Sequence, residues 1–126
     1  MPSAATISRS YHFESAHFLP HVPENHKCKR MHGHSYVVTV KLSGAIDKRG
    51  FVIDFAELDE IVDPLIKECD HKVLNDFIPN PTAELIAAWF LERLEGPLGR
   101  HDKVEFMHVR VNETVRAYAE VSASLI

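Results

Sequence analysis

The sequence has no hydrophobic run long enough to cross a membrane, no long basic run and only two cysteines. A membrane-spanning helix needs about 20 mostly apolar residues, and disulfide-stapled secreted domains need more cysteines, so neither class fits. Residues 1–6 lack the basic start and apolar core of a secretory signal, so we expect a cytoplasmic protein with reduced thiols. The formal net charge of -4 argues against a nucleic-acid partner.

The sequence does contain enough apolar residues for one core, and an excess of histidine. It has 126 residues, 45% of them hydrophobic, and no repeat or linker, so we expect a single domain over residues 1–126. Nine histidines are present, and their number raises the question of a metal site. Six of them precede residue 35: His12, His17, His21, His26, His32 and His34.

Alternating apolar residues predict strands, and apolar residues at helical spacing predict two helices. The first helix is expected to begin near Asp54, with Glu57 completing a capping box and Pro64 causing a kink or an early end. The second is expected to begin at 80–82 and to stop at Gly96 and Pro97. Two helices between groups of strands predict an α+β fold, with the helices on one face of an antiparallel sheet. The predicted strands are 7–17, 36–42, a short one at 51–53, 104–112 and 117–123.

His32 and His34 stand at the entry to the second strand, where alternate residues point to the same face. They share that face with Tyr36 and other apolar residues, so their imidazoles are expected to point inward. His17 lies on the inward face of the first strand, and pairing of the two strands would bring three imidazoles together. Three histidines without a fourth protein ligand are typical of a catalytic zinc site. The alternative is that these are ordinary core histidines. An iron oxygenase site is disfavoured, because it would need a carboxylate soon after His34 and residues 35–38 contain none.

Four further positions carry reactive groups. Cys28 lies among lysines and an arginine, which favour its thiolate, although an incidental exposed thiol fits the spacing equally well. Asp70 and His71 can form an acid–base pair if a turn brings them together, and a helix-terminal histidine is the alternative. Glu113 can accept two N–H bonds from an amidine-like ligand edge, or it is an exposed residue at a strand end.

These residues together resemble the 6-pyruvoyl tetrahydropterin synthase family. The resemblance runs from about Phe13 to Thr114, which is nearly the whole chain, and its segments occur in the family's order. Cys69 and the pair at 115–116 depart from the family pattern. The matching segments are 13–17, 28–34 with the Cys-x-x-x-His-Gly-His signature, 52–55, 70–71 with 74–75, 80–84 and 113–114.

The resemblance implies the tunnelling fold: an antiparallel four-stranded sheet with two helices on one face. The chain would form a homo-oligomeric barrel, usually a hexamer of two trimers, with active sites between subunits. It implies that His17, His32 and His34 hold Zn²⁺. Cys28 would be the general base, Asp70 and His71 its acid–base partners, and Glu113 with Thr114 the anchor of the pterin ring.

The short spacing from Cys28 to His32 resembles the carboxy-forming branch of that family. That branch converts 7,8-dihydroneopterin triphosphate to 6-carboxy-5,6,7,8-tetrahydropterin, acetaldehyde and triphosphate, for queuosine biosynthesis. The alternative within the family is the pyruvoyl-forming reaction on the same substrate. No redox cofactor is required, and the sequence holds no G-x-G-x-x-G motif and no P-loop.

Two interpretations from other classes remain at this point. A non-catalytic zinc-stabilised domain would unfold with chelators and tolerate loss of Cys28. A thiol hydrolase would use Cys28 as nucleophile, His71 as base and Asp70 as the group that orients the base. It would leave His32 and His34 without a role.

Overall fold

The computed structural model describes residues 3–126 and has the predicted α+β architecture, with five strands and two helices. Short 3-10 turns lie at Lys27–Lys29 and Leu74–Asp76. In chain order the elements are β1 (Ala4–His17), β2 (His32–Ala45), α1 (Phe55–Cys69), β3 (Lys72–Val73), α2 (Ala83–Gly99), β4 (Val104–Thr114) and β5 (Ala117–Ser124). Neither helix has the length and apolarity that a membrane crossing requires, over the residues described.

The sheet has five strands in the order β3-β1-β2-β4-β5, so the expectation of four strands was wrong. The additional strand, β3, has two residues and runs parallel to β1, whereas the other pairs are antiparallel. Two residues are too few to show an alternating pattern in sequence. The short strand expected at 51–53 is absent from the described chain, where those residues follow a turn.

The long β1–β2 pair aligns the two histidine-bearing strands. Its register runs from Ala4 opposite Ala45 to His17 directly opposite His32. The predicted face is also correct, because Tyr36 and Val38, which follow His34 by two and four residues, are fully buried. The two strands therefore deliver all three histidines to one end and one face of the sheet.

Helix α1 begins as predicted, and it does not end early at Pro64. The Asp54 carboxylate accepts the Ala56 N–H at 2.9 Å as an N-cap. Glu57 contacts Arg49 at 3.4 Å, rather than closing a capping box. The helix continues through Pro64, because this residue is exposed while Val62 and Cys69 on either side of it are buried and hold the turn against the core.

Helix α2 begins at Ala83 behind an N-cap in which the Thr82 hydroxyl accepts the Leu85 N–H at 3.2 Å. The stop expected at Gly96 and Pro97 was wrong, since the helix runs on to Gly99. Leu98 in this last turn is fully buried, so packing against the core outweighs the local helix-breaking signal. The core between helices and sheet contains Phe13, Tyr36, Val38, Val40, Leu42, Leu58, Val62, Ile86, Phe90, Leu94, Met107, Val109 and Val111.

Asp59 ties α1 to β1, and this contact predicts a pH-dependent contribution to stability. Its carboxylate accepts the Tyr11 O–H at 2.6 Å and two Arg9 N–H groups at 3.1 and 2.9 Å. The hydrogen bonds from Tyr11 and then from Arg9 hold the pKa of Asp59 below its usual range. A carboxyl with a lowered folded-state pKa stabilises the fold above its unfolded pKa, and this contribution disappears as pH falls through the folded value.

We therefore expect wild type to be more stable than Asp59→Asn at pH 7, with a difference that shrinks below about pH 4. Urea unfolding of both proteins over a series of pH values measures this difference. A gap that stays constant from neutral to acidic pH would contradict the assignment.

Candidate metal centre and active site

His17, His32 and His34 form one cluster in the structure, as predicted. Each offers a ring nitrogen, and these nitrogens lie within 4.8 Å of one another. The ring centroids are 4.6 to 5.1 Å apart, and His17 is buried to 1% exposure. Three imidazoles that converge in this way can hold a metal ion and leave a coordination position open.

Backbone carbonyls determine which nitrogen of two of these rings carries the proton. The Nδ1 of His17 lies 2.8 Å from the carbonyl oxygen of Pro81, and the Nδ1 of His32 lies 2.7 Å from that of Arg30. A carbonyl only accepts, so each Nδ1 is the protonated donor of a neutral ring. Each Nε2 then keeps a free lone pair, and the two Nε2 atoms face each other at 3.0 Å.

This arrangement fits a cation better than it fits ordinary core histidines. Two lone pairs at 3.0 Å repel unless a proton or a metal ion lies between them. The Nε2 of His34 is buried without any hydrogen-bond partner, which is costly in a protein interior. Nδ1–H bonded to backbone is the usual support of a metal-binding histidine. The donor set thus suits Zn²⁺.

Burial lowers the pKa of His17 and of His34, because it penalises the charged imidazolium. The negative charge of Glu113 opposes this effect at both rings. Lowered pKa values keep the two rings neutral near pH 7, and the neutral ring is the form that binds metal.

Cys28 lies outside this cluster, in the 3-10 turn Lys27–Lys29, and is partly exposed. Its backbone is tied down at both ends: its N–H donates to Nδ1 of His26 at 3.0 Å, and its carbonyl accepts the Leu19 N–H at 2.8 Å. The second contact places Cys28 against the chain two residues after His17. The thiol therefore lies on a fixed loop beside the end of β1.

Lys29 holds the loop that carries Cys28. Its Nζ donates to the carbonyl of Pro20 at 2.7 Å and lies 3.4 Å from a carboxylate oxygen of Glu24. The lysine thus stabilises the loop between β1 and β2.

Asp70 and His71 form the predicted pair. The Nδ1 of His71 lies 3.0 Å from the Asp70 carboxylate, and a positive φ of 58° at His71 supplies the required turn. Glu14 holds both residues: its N–H donates to Asp70 at 2.9 Å and its carbonyl accepts the His71 N–H at 2.6 Å. The bond from the Glu14 backbone is the main cause that lowers the pKa of Asp70, followed by the contact with His71.

A cleft of about 740 Å³ lies beside this pair, at the edge of β1 and β2. Its lining includes His34 and His71, together with Glu14, Lys72 and Asp76. The His71 side chain is 78% exposed in the single chain, so one side of the cleft is open.

Glu113 and Thr114 lie at a bulge, where the pairing of β4 with β5 shifts register. Glu113 lines a cavity of about 370 Å³ with Thr82 and Tyr118, near the start of α2. Thr114 lines a different cavity, together with Arg110. The structure therefore does not bring Thr114 into the cavity that Glu113 lines.

Sequence reasoning missed two supporting contacts and did not single out Tyr36 as a site residue. The Asn75 side chain bonds both the N–H and the carbonyl of Phe18, at 3.0 and 2.9 Å, and so fixes the chain just after His17. The Pro81 carbonyl comes from a segment 64 positions away from His17. Tyr36 packs edge-on against two of the histidines, and its hydroxyl is buried without a partner. The strand alternation already predicted that Tyr36 points inward. A hydroxyl at an inward position was the signal that could have marked Tyr36 as a site residue.

Comparison with known proteins shows that this chain is similar in sequence and fold to pterin enzymes. The family model described as 6-pyruvoyl tetrahydropterin synthase matches residues 6–124. A 6-carboxy-5,6,7,8-tetrahydropterin synthase of Synechocystis is 42% identical over 97 residues, covering 71% of this chain and 74% of that protein. A dihydroneopterin monophosphate aldolase of Pyrococcus furiosus is 40% identical over 82 residues, covering 65% of this chain and 68% of that protein. The 6-pyruvoyl tetrahydropterin synthase structure from Caenorhabditis elegans superposes with a TM-score of 0.82 at 25% identity, covering 98% and 100% of the two chains.

Proposed function

The chain belongs to the 6-pyruvoyl tetrahydropterin synthase family, and on that premise we propose that it is a zinc-dependent 6-carboxy-5,6,7,8-tetrahydropterin synthase. Its substrate would be 7,8-dihydroneopterin triphosphate. With uptake of water, the products would be 6-carboxy-5,6,7,8-tetrahydropterin, acetaldehyde and triphosphate. The observation that carries the proposal is the three-histidine cluster, with two Nδ1 protons held by backbone carbonyls and the Nε2 atoms left free.

The zinc would be held by His17, His32 and His34. When bound, Zn²⁺ supplies Lewis acidity that lowers the pKa of side-chain hydroxyls of the substrate. The Glu113 carboxylate would accept N–H bonds from the pterin ring and so orient the ring.

Cys28 would act as the general base that removes a proton from the substrate's side chain. His71 would return a proton at the other side of that chain, and Asp70 would hold the His71 ring through Nδ1, at the 3.0 Å separation of the pair. The fixed backbone of Cys28 and the two bonds from Glu14 to the pair support these roles, because general acid–base groups must be held in position.

The proposal includes a homo-oligomer, a hexamer built as a dimer of trimers, with active sites between subunits. The exposure of His71 and the open side of the cleft support it, since a neighbouring chain could complete the site there. The proposed product would place the chain in queuosine biosynthesis. Light scattering after gel filtration measures the assembly.

Product analysis tests the proposed reaction. Zinc-loaded protein is incubated with 7,8-dihydroneopterin triphosphate, and the products are identified by mass spectrometry. We expect a 6-carboxy pterin together with acetaldehyde. A 6-pyruvoyl product would instead support the pyruvoyl-forming alternative, and no turnover with zinc bound would support a structural zinc domain.

The same assay with 7,8-dihydroneopterin monophosphate separates this chain from its Pyrococcus furiosus relative, which is named an aldolase for that compound. We expect slow or no turnover of the monophosphate, because triphosphate is the leaving group of the proposed reaction. Efficient cleavage of the monophosphate would replace the proposal with an aldolase function.

A further inference from the structure

The hydroxyl of Tyr36 has no hydrogen-bond partner within the described chain although it is completely buried. Polar groups in protein interiors are nearly always paired, and phenylalanine would fill the same space without losing a hydrogen bond to water. The ring itself is well packed, stacked on Phe13 with centroids 4.9 Å apart. A tyrosine at this position therefore points to an acceptor that reaches the hydroxyl when the site is in use.

Tyr36 lies beside the metal cluster, on the face of β2 that carries His34. Its ring is edge-on to His34 and His17, with centroids 5.4 and 5.8 Å away. The lone pairs of these histidines are the expected metal ligands, so they are not available as acceptors in the loaded site. Among the residues of the chain, an acceptor would therefore have to come from another element that borders the cluster.

The element is β4, and the acceptor that it offers is the carboxylate of Glu113. The β2–β4 pairing includes Val37 opposite Asn112, so the next position along each strand is Tyr36 on β2 and Glu113 on β4. Side chains alternate along a strand, and Val111 is fully buried on the helix side, so Glu113 shares the face of Tyr36. Glu113 is the carboxylate whose charge acts on the Tyr36 hydroxyl and also on His17 and His34.

We propose that Tyr36 is a positioning residue: in the ligand-bound site its hydroxyl donates a hydrogen bond to the Glu113 carboxylate. The bond holds one carboxylate oxygen and aims the group at the N–H edge of the pterin ring. This inference rests on the proposed function, in which Glu113 anchors that ring. Tyr36 itself does not touch the ligand.

Two tyrosine-to-phenylalanine substitutions test the proposal, because each removes a hydroxyl oxygen. The Tyr36 hydroxyl has no partner within the described chain, whereas the Tyr11 hydroxyl is bonded to Asp59. In Tyr36→Phe the zinc-loaded protein should bind neopterin about 5- to 20-fold more weakly, since a hydrogen bond to a charged group is lost. Its zinc content should be unchanged, and its urea midpoint should equal or exceed that of wild type. In Tyr11→Phe, which loses the bond to Asp59, the midpoint should fall while neopterin affinity stays as in wild type.

A second ligand shows whether Tyr36 acts through Glu113. The analogue that has oxygen in place of the 2-amino group of neopterin lacks one N–H donor for a carboxylate. Wild type should prefer neopterin over this analogue, and Tyr36→Phe should reduce that preference at least about 3-fold, since a less well-oriented carboxylate discriminates less. Competition binding on zinc-loaded protein gives both affinities.

Unchanged neopterin affinity in Tyr36→Phe would overturn the inference, as would a lower unfolding midpoint, which would reveal a partner in the resting fold. Weaker binding with unchanged preference would also overturn it, because the hydroxyl would then contact the ligand directly. Failure of wild type to bind neopterin at all would instead refute the proposed function, and the inference with it.

Discussion

Replacing Cys28 with alanine is expected to lower turnover of 7,8-dihydroneopterin triphosphate by about 10²–10⁴-fold, the usual contribution of a general base. The fold and the zinc content should stay as in wild type. The physical reason is the separation of roles in the structure: Cys28 lies on the tied-down loop after β1 and is not part of the histidine cluster. We therefore expect its thiol to matter for proton transfer and not for holding the metal.

Cys69→Ala is the matched control, because it removes the other thiol of the chain. Cys69 is fully buried, and burial raises its pKa to about 12, so this thiol stays protonated at neutral pH. The control should keep its turnover and lose some stability from the small cavity that remains. Steady-state kinetics, metal analysis and circular dichroism are measured for both variants.

Retained turnover in Cys28→Ala would remove Cys28 from the catalytic assignment. Loss of zinc together with activity would instead make Cys28 a ligand and contradict the three-histidine site. A covalent acyl-enzyme with a slow ester substrate would revive the thiol hydrolase interpretation.

His34→Ala should weaken zinc binding by more than about 100-fold, since loss of a mere supporting partner already costs 10- to 100-fold. Activity should fall with zinc occupancy. The metal-free variant should lose only a little stability, because the packing lost with the ring is partly offset by removal of the buried Nε2, which has no hydrogen-bond partner within the described residues. A large loss of metal affinity with a small loss of metal-free stability distinguishes a ligand from a structural histidine.

His12→Ala provides the control for His34→Ala. His12 lies on the same strand as His17 but is exposed on the opposite face, so zinc affinity should be unchanged. Zinc titration against a competing chelator gives the affinities, and urea unfolding in excess chelator gives the metal-free stabilities. Equal zinc affinity of His34→Ala and wild type would refute the metal centre.

Much of the fold could be predicted because it follows from local periodicity. Alternation in β1 and β2 showed which side chains point inward, and helical spacing with cap candidates at Asp54 and at 80–82 located the starts of both helices. The predicted end of α2 was wrong, and α1 does not end early, because Pro64 and Pro97 are local signals, and burial of Cys69 and Leu98 beyond them is a tertiary effect. Strand β3 was missed because its two residues are a strand only through pairing with β1.

The sequence by itself determined that three imidazoles lie on one face of two neighbouring strands, and it singled out a nearby thiol and an aspartate adjacent to a histidine as candidate catalytic groups. Side-chain alternation and chain proximity are sufficient for that, since both are short-range properties. The tertiary structure alone decided the state of these groups. The carbonyl of Pro81 selects the tautomer of His17, Glu14 holds Asp70 and His71 together, and burial isolates the hydroxyl of Tyr36. The protonation state of a group, its tautomer and the absence of a hydrogen-bond partner all depend on which distant segments come into contact. The local sequence pattern does not contain that information.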